Sequence, residues 1–243
     1  YETMGKTKNA SDKELKKLAS NRLNRHFFEG VLTCEVKSGY GKDFFQEIRL
    51  LKTINEINID NPSDVITTCL AAHVPPKNKN FSPREYLKSI VKELFPIIKK
   101  EKLTNRMDIF VEKNAFNSEE SKEFLKSAKE NGFDITVHAN QFSSGGLNVA
   151  VDTGALSADH LEVISDEEIL YTSIRSFRNS AEAVSNGVLK NSIPSRSQQR
   201  LNCSNSPFQN LSYLPNNACW LAVGSLLVSQ YAGDSLAAMV SAR

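Results

Sequence analysis

Apolar residues recur along this chain in two kinds of run, and the two kinds take turns. Leu15, Leu18, Leu23 and Phe27 fall at helical intervals. Ser11, with Glu14 three residues on, has the form of a capping box opening that helix, and Gly30 suits its termination. A β-branched run over 31–36 then predicts a strand ending in Lys37-Ser38-Gly39-Tyr40-Gly41. A helix over 43–57 follows, with Phe44, Ile48, Leu51 and Ile54 on one face. The run 65–70 predicts a second strand, leading into Ala71-Ala72-His73 and the breaker Pro75-Pro76. Ser82-Pro83 starts a helix with Pro at its first position, expected to reach about Lys100. The run 107–111 is a strand ending at Glu112. Asn117-Ser118-Glu119-Glu120 caps a helix that stops near Gly132. Strands over 134–138 and 155–159 complete the series.

Helix and strand thus alternate five times between 11 and 162, and the strands read as near-continuous apolar runs. Both features mark a parallel sheet with helices on its faces. A (β/α) barrel and an open doubly wound sheet both satisfy the pattern. Neither GxGxxG nor GxxxxGK[ST] follows any strand, so the usual nucleotide fingerprints are missing. Past residue 165 the pattern weakens. Residues 171–206 are rich in Ser, Arg, Asn and Gln, and a structureless loop of that length is unusual in a compact domain. The expectation is an α/β fold, a partial TIM-type (β/α) barrel forming one incomplete catalytic domain over 1–243. Its βα repeats are clear over 11–165, its assignment is open over 166–206, and 207–243 is expected to be helical.

Composition narrows the class only slightly. The chain has 243 residues, 40% hydrophobic and 24% charged, with a net charge of +2. That balance argues neither for nucleic acid nor for a membrane surface, and no apolar run approaches the roughly 20 residues of a membrane span. No basic segment leads into an apolar one at the start, so no signal peptide is expected. Of Cys34, Cys69, Cys203 and Cys219, none forms a CxxC pair. Cys34 and Cys69 lie in strand-like runs and are expected as buried free thiols, which fits a reducing, cytoplasmic setting.

Polar groups gather where the strands end: Lys37 and Tyr40, His73, Glu112, His138 and Gln141, Asp159 and His160. In a parallel barrel those ends open on one face, where active sites form. Each also has a plainer reading. His73 could bond a loop, His138 could be a core histidine, and Asp159 with His160 could be an orienting pair. Tyr40 could be a turn residue, and Glu112 could pair with a lysine.

Four of these segments carry a resemblance. Glu35-Val36-Lys37-Ser38-Gly39-Tyr40-Gly41, Ala72-His73-Val74-Pro75-Pro76, Val137-His138-Ala139-Asn140-Gln141 and Ser157-Ala158-Asp159-His160-Leu161-Glu162 together resemble the imidazolonepropionase family, from about residue 9 to 165. The resemblance implies a (β/α) barrel of the metal-dependent amidohydrolase kind. It implies hydrolysis of the ring amide of 4-imidazolone-5-propanoate to N-formimidoyl-L-glutamate in histidine degradation, with one divalent metal, zinc or iron. His138 resembles a metal ligand, and Gln141 a position that contacts substrate or water. His160 resembles the histidine that polarises the carbonyl or shuttles a proton. Tyr40 and His73 resemble substrate-binding residues, and Asn202 aligns with a late substrate-binding position. The implied partner is a small-molecule substrate, with a homodimer as a candidate assembly.

The chain also departs from the family pattern. Its histidines are His26, His73, His138 and His160, so the family's His-x-His metal pair is missing, and Arg200 stands where the family's last ligand is Asp. The expectation is a chain truncated at its N-terminus and divergent after about residue 165. One histidine falls short of the three protein ligands usual for a catalytic metal, so weak metal binding is expected. Two rival readings follow: a catalytically dead barrel remnant that acts only in binding, and a metal-independent barrel enzyme using His160 and Glu112 as acid and base.

Overall fold

Five strands pair edge to edge in the order in which they occur in the chain. The computed structural model describes residues 2–41, 43–76, 82–185 and 241–242. Within it, β1 (Thr33–Lys37), β2 (Asp64–Ala72), β3 (Arg106–Val111), β4 (Asp134–Ala139) and β5 (Ser157–His160) form one parallel run. Right-handed crossovers between sequential strands all pass on the same face, whereas a doubly wound sheet reverses its order at a switch point. The winding is therefore that of a barrel, and the sheet curls as a half-barrel.

One ion pair requires that curl. Lys37 on β1 contacts Asp159 on β5. Four strand spacings of about 4.8 Å would hold those strands about 19 Å apart in a flat sheet. No lysine spans that distance, so the face carrying both residues must be concave.

The connecting segments are α1 (Glu2–Asn9), α2 (Asp12–Phe28), α3 (Phe44–Asp60), α4 (Pro83–Ser89), α5 (Phe95–Glu101), α6 (Ser118–Glu130), α7 (Gly146–Thr153) and α8 (Asp166–Ser185). Capping boxes at Ser11, Ser82 and Asn117 start α2, α4 and α6. The helix expected from Ser82 to Lys100 is interrupted by a π-helical turn over Ile90–Leu94. Pro96 explains this, because it has no N–H for the preceding turn; the Phe95 N–H instead reaches back to the Ile90 carbonyl.

The strands are not the continuous apolar runs that the sequence suggested. Glu35 and Lys37 alternate with Cys34 and Val36, and Arg106 and Asp108 alternate with Met107 and Ile109. The apolar set packs against the helices, with Leu94, Ile98 and Leu125 on Met107, Ile109 and Val137, and Leu23 and Ile54 on Cys34 and Val36. Each fully buried aliphatic side chain there contributes about 1.5–3 kcal/mol. Cys34 and Cys69 are buried free thiols. Among the described residues no helix is long and apolar enough to cross a membrane.

Part of the open region 166–206 is helical. Ser165 accepts from the Glu168 N–H while Glu168 accepts from the Ser165 N–H, the reciprocal box that starts α8. Of the stretch 207–243, expected to be helical, only Ser241 and Ala242 are described. They form a short strand, β6 (Ser241–Ala242), antiparallel to β1, because the outer edge of β1 offers unpaired backbone groups that an extended segment can satisfy. Asn202, Arg200, Cys203 and Cys219 lie outside the described residues.

The fold brings α7 against the end of β4 through Gly146. A Cβ there would stand 2.8 Å from the Ala139 Cα and 3.1 Å from the Asn140 N, both backbone atoms. Gly146→Ala is expected to destabilise the chain by about 1–3 kcal/mol through overpacking, read as a lower urea midpoint. An unchanged midpoint would contradict the close approach.

Candidate active site

Glu35 and Lys37 lie two residues apart on β1 and so share a face. Strand register then sets Lys37 beside Thr68, Asp108 beside Thr136, and His138 beside Asp159. The result is a charged layer on the concave side. Lys37 Nζ lies 2.6 Å from Asp108 Oδ2, pairs with Asp159 Oδ2, and stands 3.6 Å from Glu35 Oε2. Thr68 Oγ1 donates to Glu35, and Arg106 stands 3.6 Å from the same carboxylate.

The Lys37 side chain is 1% exposed and that of Asp108 is 0%. Burial works against the charge on Lys37, but attraction to Asp108, Asp159 and Glu35 outweighs it and raises the proton affinity of the amine. Burial likewise works against the charge of Asp108, yet the pull of His138 and Lys37 holds its carboxyl well below the usual range. Lys37 and Asp108 thus both keep their charge although buried.

Above it, at the strand ends, the structure brings together four rings that the sequence singled out. His73 lies 5.0 Å from Tyr40 and 6.4 Å from His138, and His138 lies 5.2 Å from His160, ring centre to ring centre. Phe110 sits among the three imidazoles, at 5.7 Å from His73, 6.2 Å from His138 and 6.5 Å from His160.

Each ring is oriented by something specific. Gly39 and Gly41 donate their backbone N–H groups to the buried Glu47 carboxylate, at 2.8 and 2.6 Å, which pins the turn carrying Tyr40. Burial pushes the Tyr40 phenol up, so it remains an O–H donor. His73 Nδ1 lies 3.1 Å from the Gly39 carbonyl. A carbonyl only accepts, so that contact assigns the proton to Nδ1 and the lone pair to Nε2. Burial, reinforced by His138 nearby, lowers the His73 pKa to about 4.

His160 and Leu161 both have left-handed backbone, at φ 77° and 65°, a conformation that costs about 1–3 kcal/mol at each non-glycine residue. The Leu161 N–H donates to the Ala139 carbonyl and the Val163 N–H to that of Asn140, so the end of β4 holds the strained turn. His160 Nδ1 lies 3.2 Å from the Glu162 carboxylate, which assigns the lone pair to Nε2. Among the described residues, His160 Nε2 is buried with no hydrogen-bond partner. Burial, then His138, lowers the pKa of His160.

Two other candidates fall elsewhere. Glu112 accepts from the Phe142 and Ser143 N–H groups and from the Ser143 hydroxyl, so its carboxylate is committed to holding the loop after β4. Gln141 is partly exposed. Its neighbour Asn140 is the buried one: it accepts from the Leu147 N–H and donates to Glu168 and to the Val163 carbonyl.

Asp108, His138 and Asp159 offer one donor atom each, all within 4.8 Å of one another, and form a possible metal-binding set. Two carboxylates and an imidazole suit zinc or iron chemically. The geometry does not suit them while Lys37 stands where it does. Its ammonium already lies against Oδ2 of both carboxylates, and a divalent ion on those oxygens would sit at close range from a buried like charge. With the ammonium in place, His138 Nδ1 also stands 4.0 Å from Asp159 Oδ2, wider than the roughly 3.4 Å that tetrahedral zinc with 2.0–2.2 Å bonds sets between ligands, so a metal replacing it would draw the two side chains together.

Sequence reasoning missed Asp108 and gave Lys37 and Asp159 no defined job. A signal was available: Asp108 is the one charged residue, second in place, of the otherwise apolar run 107–111, which makes sense only on a face with a buried partner.

No family model matches the chain. An imidazolonepropionase of Streptococcus pyogenes serotype M49 (strain NZ131) is 37% identical over 193 residues, 79% of this chain and 43% of that protein. The imidazolonepropionase of serotype M12 (strain MGAS2096) is 36% identical over the same length. Among solved structures, that of Arabidopsis ADAL complexed with GMP covers 72% of this chain and 58% of its own at 12% identity and a TM-score of 0.30, a likeness that carries no argument. The chain spans less than half the length of the curated relatives it matches, and over those 193 residues it is a homologue of the imidazolonepropionases.

Proposed function

We propose that this chain carries the ring-binding face of an imidazolonepropionase-type hydrolase, on a barrel of the amidohydrolase kind. The substrate class is a cyclic amide, 4-imidazolone-5-propanoate, opened to N-formimidoyl-L-glutamate. One observation carries the reading: Tyr40, His73, His138 and His160 converge at the strand ends, and His160 presents a buried nitrogen with no partner among the described residues. A planar ring with N–H and carbonyl groups is what such a cluster of flat side chains, lone pairs and one phenol recognises.

Each group has a task in this reading. The Tyr40 hydroxyl donates to a ring carbonyl, and His73 Nε2 accepts from a ring N–H. His160 Nε2 takes the proton of the attacking water; the water oxygen joins the carbonyl carbon, the ring C–N bond breaks, and the proton passes to the leaving nitrogen. Gln141 and Asn202 are assigned to substrate from the resemblance. A family member would use a divalent metal to activate the water. Because Lys37 engages both carboxylates of the candidate set, no step is assigned to a metal here.

That same contact favours a second reading, in which the chain binds the ring without hydrolysing it. Absorbance loss of imidazolone propanoate, measured alongside calorimetric binding of an imidazole propanoate analogue, separates the two. Hydrolysis by the purified chain supports the first, and binding without turnover supports the second. Neither binding nor turnover would overturn both.

If turnover is seen, His160→Gln is expected to lower kcat about 10²–10⁴-fold with the fold retained by circular dichroism. Burial holds both imidazoles neutral below their ordinary range, so kcat/KM should stay level as pH falls through 6.5 and decline only below it. An acid limb centred above 6.5 would contradict the assignment. Stability should follow the same groups. The folded pKa of His73, about 4, lies below its unfolded value of 6.5, so the unfolded chain binds more protons between them and stability is lost as pH falls through that window. Between pH 6.5 and 5 the melting temperature of the native chain should fall more steeply than that of His73→Gln; equal slopes would count against a buried neutral His73.

A further inference from the structure

The metal-binding set and the lysine that spans it stand in a relation that the ring-binding reading does not need. Asp108 comes from β3, His138 from β4 and Asp159 from β5, three adjacent strands aimed at one point on the concave face. Lys37 arrives from β1 and places its ammonium 2.6 Å from Asp108 Oδ2 and against Asp159 Oδ2. It stands where an ion drawn to both carboxylates would stand.

We infer that Lys37 is a built-in counter-cation that closes the Asp108–His138–Asp159 set to divalent metal, and that removing its charge opens the set. Three observations bear on this. First, the ammonium and a metal would use the same two oxygens, so binding is exclusive rather than additive. Second, the charge count leaves room for one cation there and not for two. Glu35, Asp108 and Asp159 face Lys37 and Arg106, leaving one net negative charge. A divalent ion in place of the ammonium leaves none, whereas a divalent ion added to it leaves a buried excess of positive charge. Third, Asp108 Oδ1 is buried without a hydrogen-bond partner among the described residues, although the side chain is 0% exposed. Unsatisfied buried carboxylate oxygens are rare, and this one leaves the residue free to add a second contact to a compact cation. His138 Nδ1, 2.9 Å from Asp108 Oδ2, completes a set of two carboxylates and an imidazole, the donor types that bind zinc or cobalt.

The test uses cobalt(II), whose visible ligand-field bands report a tetrahedral protein site directly, with bound metal counted by atomic emission after dialysis. The whole chain is used, without reference to turnover, so the outcome is independent of whether imidazolone propanoate is bound or hydrolysed. The native chain is expected to take up no stoichiometric cobalt at this set. Lys37→Met is expected to bind one equivalent at least about a hundredfold more tightly, and Lys37→Met with Asp108→Asn is expected to lose it. One equivalent bound by the native chain and lost in Asp108→Asn would overturn the inference, as would a folded Lys37→Met that binds none. Removing one partner of a buried ion-pair network can unfold a protein, so Lys37→Gln, which keeps an amide donor for Asp108, is measured in parallel. If both variants are unfolded alone, a cooperative thermal transition restored by cobalt supports the inference, and its absence with cobalt present overturns it.

Discussion

A buried ammonium group set among carboxylates from three strands is the constraint on which the rest of the structure depends. Lys37 on β1 touches Asp108 on β3 and Asp159 on β5, which bends five sequential strands into a trough rather than a plane. Burying these charges singly would be prohibitive; only their mutual pairing makes the concave face tenable. The same pairing fixes where the apolar side chains go. With every second residue of β1 and β3 committed to the charged layer, the intervening Val36, Met107 and Ile109 must face the helices. The two-sided burial of the sheet is thus a consequence of charge as much as of hydrophobicity.

On that base the strand ends are positioned by backbone contacts rather than by side-chain packing alone. Glu47 gathers the N–H groups on either side of Tyr40, and Glu112 gathers those of Phe142 and Ser143. Asn140 and Glu168 tie the loop after β4 to the start of α8. Carboxylates and amides that resemble catalytic groups in a sequence are consumed here in holding loops. What they hold is a cluster of three imidazoles around Phe110, with the Tyr40 phenol against His73 and two of the imidazoles kept neutral by burial. Such a cluster is suited to hydrogen-bonding a small polar ring and to moving one proton. Its geometry is stiffened by the left-handed backbone at His160 and Leu161, which persists because Ala139 and Asn140 bind both sides of the turn.

Much of this was legible in advance. Capping boxes at Ser11, Ser82 and Asn117 are local chemistry, and they mark true helix starts. The box at Ser165 and Glu168 is equally local but stands just before the polar stretch 171–206, which hid the helix it starts. The strand ends were legible because chain direction and parallel winding put Tyr40, His73, His138 and His160 at one rim. The partner of Asp108 was not, because Lys37 is 71 residues away in sequence. The π-turn before Pro96 was legible in principle, since the missing N–H is written in the residue itself, but the helical pattern on both sides concealed it.

The sequence by itself determined the alternation of helix and strand, the parallel winding it implies, and the set of rings at the rim. These rest on interactions a few residues long and on the fixed hand of crossovers. The tertiary structure alone decided which ion pair spans the trough, that Glu112 serves a loop, and that a lysine sits on the carboxylates of a potential metal set. Each of those depends on which side chains from distant strands arrive at the same few ångströms, and Coulomb interactions in a buried layer are decided by distance in space, not along the chain.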